Sequence, residues 1–174
     1  MKPRALLPAV LIAFATLLLT APPARAIYVP QTREEFVKAV ADGTRGAKME
    51  TVTVERSFDE VYRSLEDRMT PCLDIKVERT AYVGYTEHSS SDYNPTLKKV
   101  GRDRAEFALQ VVHFPRGIGE KTGPGGLYIM AADLKRAGSG TEIVLYRPTM
   151  VYKNIAKSLI DWAEGNAADC PKLK

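Results

Sequence analysis

Histidine is scarce in this chain: His88 and His113 are the only two in 174 residues. They sit in unrelated segments, and the two cysteines, Cys72 and Cys170, stand 98 positions apart. That pattern lacks the paired ligand spacing of a zinc site and the C-x-x-C of a redox motif. No Gly-x-Ser-x-Gly nucleophile elbow is present, so a Ser-His-Asp hydrolase has no obvious seat. Gly123-Pro124-Gly125-Gly126 is not closed by Gly-Lys-Ser/Thr and leads into a strand pattern, which rules out a phosphate loop. Charge of one sign is also lacking. The formal net charge is +4, but Lys2, Arg4 and Arg25 lie in the first 26 residues; 25 Lys+Arg less those three leaves 22 against 21 Asp+Glu. A nucleic-acid partner is not expected from so even a balance. There is no internal repeat and no interior linker, and 45% hydrophobic residues describe one globular domain.

The only long apolar run is at the start. Met1-Lys2-Pro3-Arg4 is a short positive segment, and Ala5–Ala21 is apolar apart from Pro8, Thr16 and Thr20. Pro22-Pro23 follows, then Ala24-Arg25-Ala26, whose small residues suit signal peptidase. Residues 1–26 therefore read as an export signal cleaved near Ala26, and the A-x-A site argues against an uncleaved anchor. The expected location is periplasmic or secreted. In such a compartment disulfides persist, and Cys72 and Cys170 allow one pairing, which we expect to be structural.

Further along, Thr32-Arg33-Glu34-Glu35 reads as a capping box for a short helix over 32–42, with a linker up to residue 47. Thr51–Glu55 alternates as a strand. Ser57 and Glu60 form a second capping box, and Phe58, Val61, Tyr62, Leu65 and Met69 line one helical face that Pro71 should end. Residues 75–85 alternate as a strand, 88–94 read as a polar serine-rich loop, and 97–100 as a short strand. Phe107, Leu109, Val111 and His113 share one face of the next strand. Pro115–Gly126 is a Gly-rich connection, followed by strands over 127–136 and 141–147 joined at Ala137-Gly138-Ser139-Gly140. Pro148 should open a last helix with Val151, Ile155, Leu159 and Trp162 in line. The fold class is α+β: a curved antiparallel sheet of about six strands wrapped around a long C-terminal helix, with a short helix after the first strand and an extra N-terminal helix.

With these elements in place, the chain from Lys48 to about Gly165 resembles the START-like, or helix-grip, superfamily of Bet v 1-type and polyketide-cyclase-like proteins. The resemblance is carried by Val54-Glu55-Arg56-Ser57-Phe58-Asp59-Glu60-Val61-Tyr62, by Gly138-Ser139-Gly140-Thr141-Glu142 and by the amphipathic last helix. It implies a START-like domain over 48–174, a sheet that grips the terminal helix, and an apolar cavity between them. Two departures stand out: six strands instead of seven, and one helix after the first strand instead of two. Either can shrink the cavity.

The candidate ligand-binding residues are Arg79, Tyr85, Phe107, Leu109, Val111, His113 and Leu159. Arg79 shares the alternation of Ile75, Val77, Ala81, Val83 and Tyr85, so it either faces a cavity, where it needs an anionic partner, or is turned outward to solvent or a protein acid. His113 continues an apolar face; its ordinary reading is a hydrogen-bonded sheet histidine. No cofactor or metal is implied. The expected function is binding or carrying an apolar or amphipathic small molecule such as a lipid, by a monomer with peripheral membrane contact. Two alternatives are a polyketide-cyclase-like enzyme built on His113, a tyrosine and Arg79, and an envelope interaction module using loop 115–126 or the 32–42 helix.

Overall fold

The structure, a computed structural model, describes residues 29–82, 84–116 and 122–173. The expected leader, Val83 and residues 117–121 of the Gly-rich connection lie outside the described residues. The elements are α1 (Arg33–Ala41), β1 (Ala47–Val54), α2 (Phe58–Leu73), β2 (Lys76–Tyr82), β3 (Thr86–Gly101), β4 (Arg104–Phe114), β5 (Leu127–Ala137), β6 (Gly140–Pro148) and α3 (Lys153–Ala163). The strands form one six-stranded antiparallel sheet in the order β1-β6-β5-β4-β3-β2. Among the described residues no helix is long and apolar enough to cross a membrane.

Alternation divides the sheet into two faces. On one, Val54, Phe107, Leu109, Val111, Leu134, Ile143 and Leu145 join a single core with Phe58, Val61 and Leu65 of α2 and Ile155, Leu159 and Trp162 of α3. On the other, Ala131 and Tyr146 pack against Phe36 and Val40 of α1. Both helix starts expected from capping chemistry are present. Ser57 and Glu60 satisfy each other's backbone N–H groups at α2. At α1 only half of the box forms: Thr32 Oγ1 accepts from the Glu35 N–H, while the Glu35 carboxylate accepts from Gln31 N.

Three expectations are corrected. Residues 88–94 are not a loop but part of the 16-residue strand β3. Thr86–Ser89 pair with β2 alone, because β4 joins only from Ser90 opposite Phe114, so this stretch is a two-stranded arm open to solvent on both faces. A ladder in that position needs backbone hydrogen bonds but no apolar side chains; Thr86, Glu87 and His88 are exposed, and Ser89–Ser91 are half-buried where the arm joins the sheet. Second, α2 runs two residues past Pro71, to Leu73. Proline removes one hydrogen bond near the helix end, and burial of Cys72 and Leu73 outweighs that loss. Third, β6 runs to Pro148 and α3 starts only at Lys153, so Val151 is not on the helix stripe. Tyr152, at φ 60°, is a left-handed non-glycine residue that turns the chain between them.

The N-terminal helix is bound to the sheet by a largely buried arginine. The Arg33 guanidinium donates to the Phe107 carbonyl (3.2 Å), the Ala132 carbonyl (2.9 Å) and Asp133 Oδ1 (2.5 Å), with Glu106 3.7 Å away. Tyr146 Oη donates to Asp133 Oδ2 at 3.0 Å. Burial, then the Asp133 charge, pushes the Tyr146 phenol from 10.0 to about 12. The fold thus favours the neutral phenol. Its contribution to stability is complete below pH 10.0 and is lost as pH rises toward 12. Alkaline unfolding of Tyr146→Phe is expected to show a shallower loss of stability across that window than the parent chain. Parallel curves would show that the phenol does not couple to folding.

Candidate functional site

The middle of the inner sheet face is filled. Trp162, Phe58, Tyr93, Phe107, Leu109 and Met130 are all fully buried between the sheet, α2 and α3. Of the residues expected to bind a ligand, the structure brings Phe107, Leu109, Val111 and Leu159 together, in this core. His113 lies on the same face, half-buried, and shares a 2.9 Å hydrogen bond between its Nδ1 and the Ser91 hydroxyl. Arg79 lies on the outer edge strand, exposed, and Tyr85 is 65% exposed at the tip of the arm. No hydrogen bond links His113 to either of them among the described residues.

Open space lies further along, where the chain leaves β6. A cleft of about 620 Å3 is lined by Met150, Val151, Tyr152, Lys153, Asn154, Ile155, Lys172 and Leu173. Its lip is apolar and protrudes: Met150 is 79% and Val151 51% exposed. The left-handed turn at Tyr152 directs these two side chains outward while Tyr152 itself packs on the core. Burial raises the Tyr152 phenol. Burial and the nearby Tyr152 raise that of Tyr93 as well, and Arg79 opposes the rise. Tyr93 itself is fully buried in the core. No side chain caps the start of α3, and exposed Lys153 and Lys172 stand at the rim, so the polar edge of the cleft is positive.

The opposite wall is the chain's end. After α3, residues 166–173 have no regular structure and run back beside the helix. Asn166 N donates to the Asp161 carbonyl where the segment leaves the helix (2.8 Å), and further along the Trp162 indole N–H donates to the Ala168 carbonyl (3.2 Å), Cys170 is bonded to Cys72 at the end of α2, and Asn154 Nδ2 donates to the Lys172 carbonyl (2.7 Å). The expected disulfide is formed. It anchors a strap whose tip, Lys172 and Leu173, faces the first turn of α3.

Sequence reasoning missed Met150, Tyr152 and Leu173 as lining residues, and read Val151 as part of a helix. The available signal was the apolar pair Met150-Val151 shortly after Pro148. It also missed Gln110, a buried amide that donates to the carbonyls of Pro124 (2.7 Å) and Gly126 (3.1 Å). Gln110 thereby fixes the last part of the Gly-rich connection at the start of β5. Gly126 sits there at φ 101°, with no room for a Cβ against the Val111 carbonyl.

No protein-family model matches the chain, and no curated protein matches it. Among solved structures, it is similar to Ara h 8.0201 with a TM-score of 0.33 and 11% identity, covering 68% of this chain and 95% of that one. DynU16, a protein of the dynemicin biosynthetic locus, gives 0.31 and 15%, over 68% of this chain. The match spans 44% of DynU16, less than half its length. Protein CV1439 from Chromobacterium violaceum gives 0.31 and 9%, over 70% of this chain and 93% of that one. Such likeness concerns the fold alone. By its own topology, one antiparallel sheet with a helix after its first strand and the terminal helix buried on its inner face, the chain has an α+β fold of the helix-grip kind.

Proposed function

We propose that this chain is an exported carrier or binding protein for an apolar or amphipathic small molecule, held in the cleft between the start of α3 and the C-terminal strap. The observation that supports it is the cleft itself: about 620 Å3, with Met150, Val151, Tyr152, Ile155 and Leu173 as apolar walls and two lysines at the rim. Pockets of this size with few polar groups bind drug-sized apolar molecules and orient them by one polar end. The ligand's anionic or polar end meets Lys153 or Lys172. Arg79 and His113, on the same sheet face beyond Tyr93, are further anchors for a longer molecule. Phe107, Leu109, Val111 and Leu159 act through the packed core that Ile155 and Tyr152 of the cleft join. Export is supported by the leader-like residues 1–26 and by the disulfide.

Native mass spectrometry of protein purified from the cell envelope is the direct test, and a bound small molecule is the expected result. The site is tested by substitution. Met150→Asp combined with Val151→Asp places two charges on an exposed lip, where folding is little affected. Losing contact with roughly 50 Å2 of apolar surface corresponds to about 1.3 kcal/mol, close to tenfold in affinity. Binding of N-phenyl-1-naphthylamine is therefore expected to weaken about tenfold. Unchanged binding by the double variant moves the ligand away from this cleft.

A further inference from the structure

We infer that the Cys72–Cys170 disulfide assembles the binding cleft, so that the chain becomes able to hold its ligand only once it has been oxidised. The inference rests on the cleft reading above and adds a regulation to it. The tip of the strap supplies one wall, through Lys172 and Leu173. Beyond the disulfide that tip is held by the hydrogen bond from exposed Asn154, by buried Pro171 and by the half-buried Leu173 side chain. One exposed hydrogen bond and two small apolar contacts do not balance the entropy of ordering an irregular segment of chain. The covalent tie changes that balance. It fixes Cys170 against the buried end of α2, two residues from the first lining residue of the strap. Without it the ties left beyond Ala168, among the described residues, are the exposed Asn154 hydrogen bond and the apolar contacts of Pro171 and Leu173, and the wall is free to leave.

The chemistry is thiol–disulfide exchange with a disulfide oxidant. One cysteine thiolate attacks the incoming disulfide and expels a thiol. The second cysteine then attacks the mixed disulfide and expels the other. The two cysteines lose two protons and two electrons, and the oxidant leaves as a dithiol. Cys170 lies on an exposed part of the strap, so a partner reaches it, while Cys72 is buried under the completed bond. A chain that still carries reduced thiols before export would thus present an incomplete cleft and leave apolar molecules of the cytoplasm unbound.

The experiment titrates the mature full-length chain with N-phenyl-1-naphthylamine in its oxidised form, after reduction by dithiothreitol, and after reoxidation. Far-ultraviolet circular dichroism is recorded on each sample. The oxidised protein is expected to bind, the folded reduced protein at least fivefold more weakly, and the reoxidised protein as at first. Pro171→Gly provides a second arm, since Pro171 lines nothing in the cleft but joins the staple to the tip. With its disulfide intact this variant is expected to bind two- to threefold more weakly, and it decides the matter if the reduced chain unfolds. Equal affinity of oxidised and folded reduced protein, or of parent and Pro171→Gly when the reduced chain is unfolded, overturns the inference and leaves the cleft reading standing. An oxidised parent chain that does not bind the probe removes both.

Discussion

Trp162→Ala is expected to lower stability by about 3–5 kcal/mol, the largest loss from any single core truncation in this chain. The indole is fully buried in the core that joins α2, α3 and the inner sheet face. Alanine there leaves a cavity that rigid strands on one side and a second helix on the other cannot close. The substitution also removes the donor that ties Ala168 to the helix. The hydrogen bond that the Ser64 hydroxyl donates to the backbone carbonyl of residue 162, 2.6 Å, survives, so the helix pair is loosened but not separated. Leu159→Ala, one turn earlier on the same buried stripe, is expected to cost about 2–5 kcal/mol. Urea unfolding followed by circular dichroism measures both, with the slope of the transition as the check on two-state behaviour. A shift below about 1 kcal/mol for Trp162→Ala at an unchanged slope would mean that the terminal helix is not gripped by the sheet.

Replacing both cysteines with alanine is expected to cost on the order of 4 kcal/mol. A bond across a separation of 98 residues removes loop entropy from the unfolded chain that the chain-entropy model sets at about 4.7 kcal/mol for a loop near 100 residues. Release of the irregular strap, which is less ordered without its tie, offsets part of this. The effect acts chiefly through the unfolded state, so reduced and oxidised proteins should differ more in unfolding midpoint than in secondary structure. Alkylation of folded, unreduced protein followed by intact mass gives the prior check: no alkyl group should be added. Two modified thiols at that step would falsify the pairing, and with it the account of the strap.

Much of the fold is legible in local chemistry. The Ser57–Glu60 box and the spacing of Phe58, Val61 and Leu65 specify α2, because capping and a 3.6-residue period depend on near neighbours only. The face shared by Phe107, Leu109, Val111 and His113 follows from a period of two. The pairing of Cys72 with Cys170 follows from there being no other partner. The signals that misled were also local. The serine run in β3 looked like a loop because it lacks apolar residues, but backbone pairing to β2, and from Ser90 also to β4, holds it as a strand without them.

The cleft was not legible, for a different reason. Its walls come from the end of β6, the first turn of α3 and residues 172–173, which a disulfide, hydrogen bonds to Ala168 and Lys172 and apolar contacts bring back along the helix. Alternation left Arg79 two readings, facing a cavity or turned outward, because periodicity gives the side of a strand and not the depth of cover over it; the side chain is exposed. α3 starts late, at Lys153, and β2 lies at the sheet edge, so Arg79 stays in solvent while Phe107 and Leu109 are sealed beneath Trp162. The sequence by itself determined the order of most helices and strands, their apolar faces and which cysteines pair, because each depends on neighbours along the chain or on elimination, while the bounds of β3, α2 and α3 did not follow from it. The tertiary structure alone decided where space remained, since that depends on how far one element reaches over another.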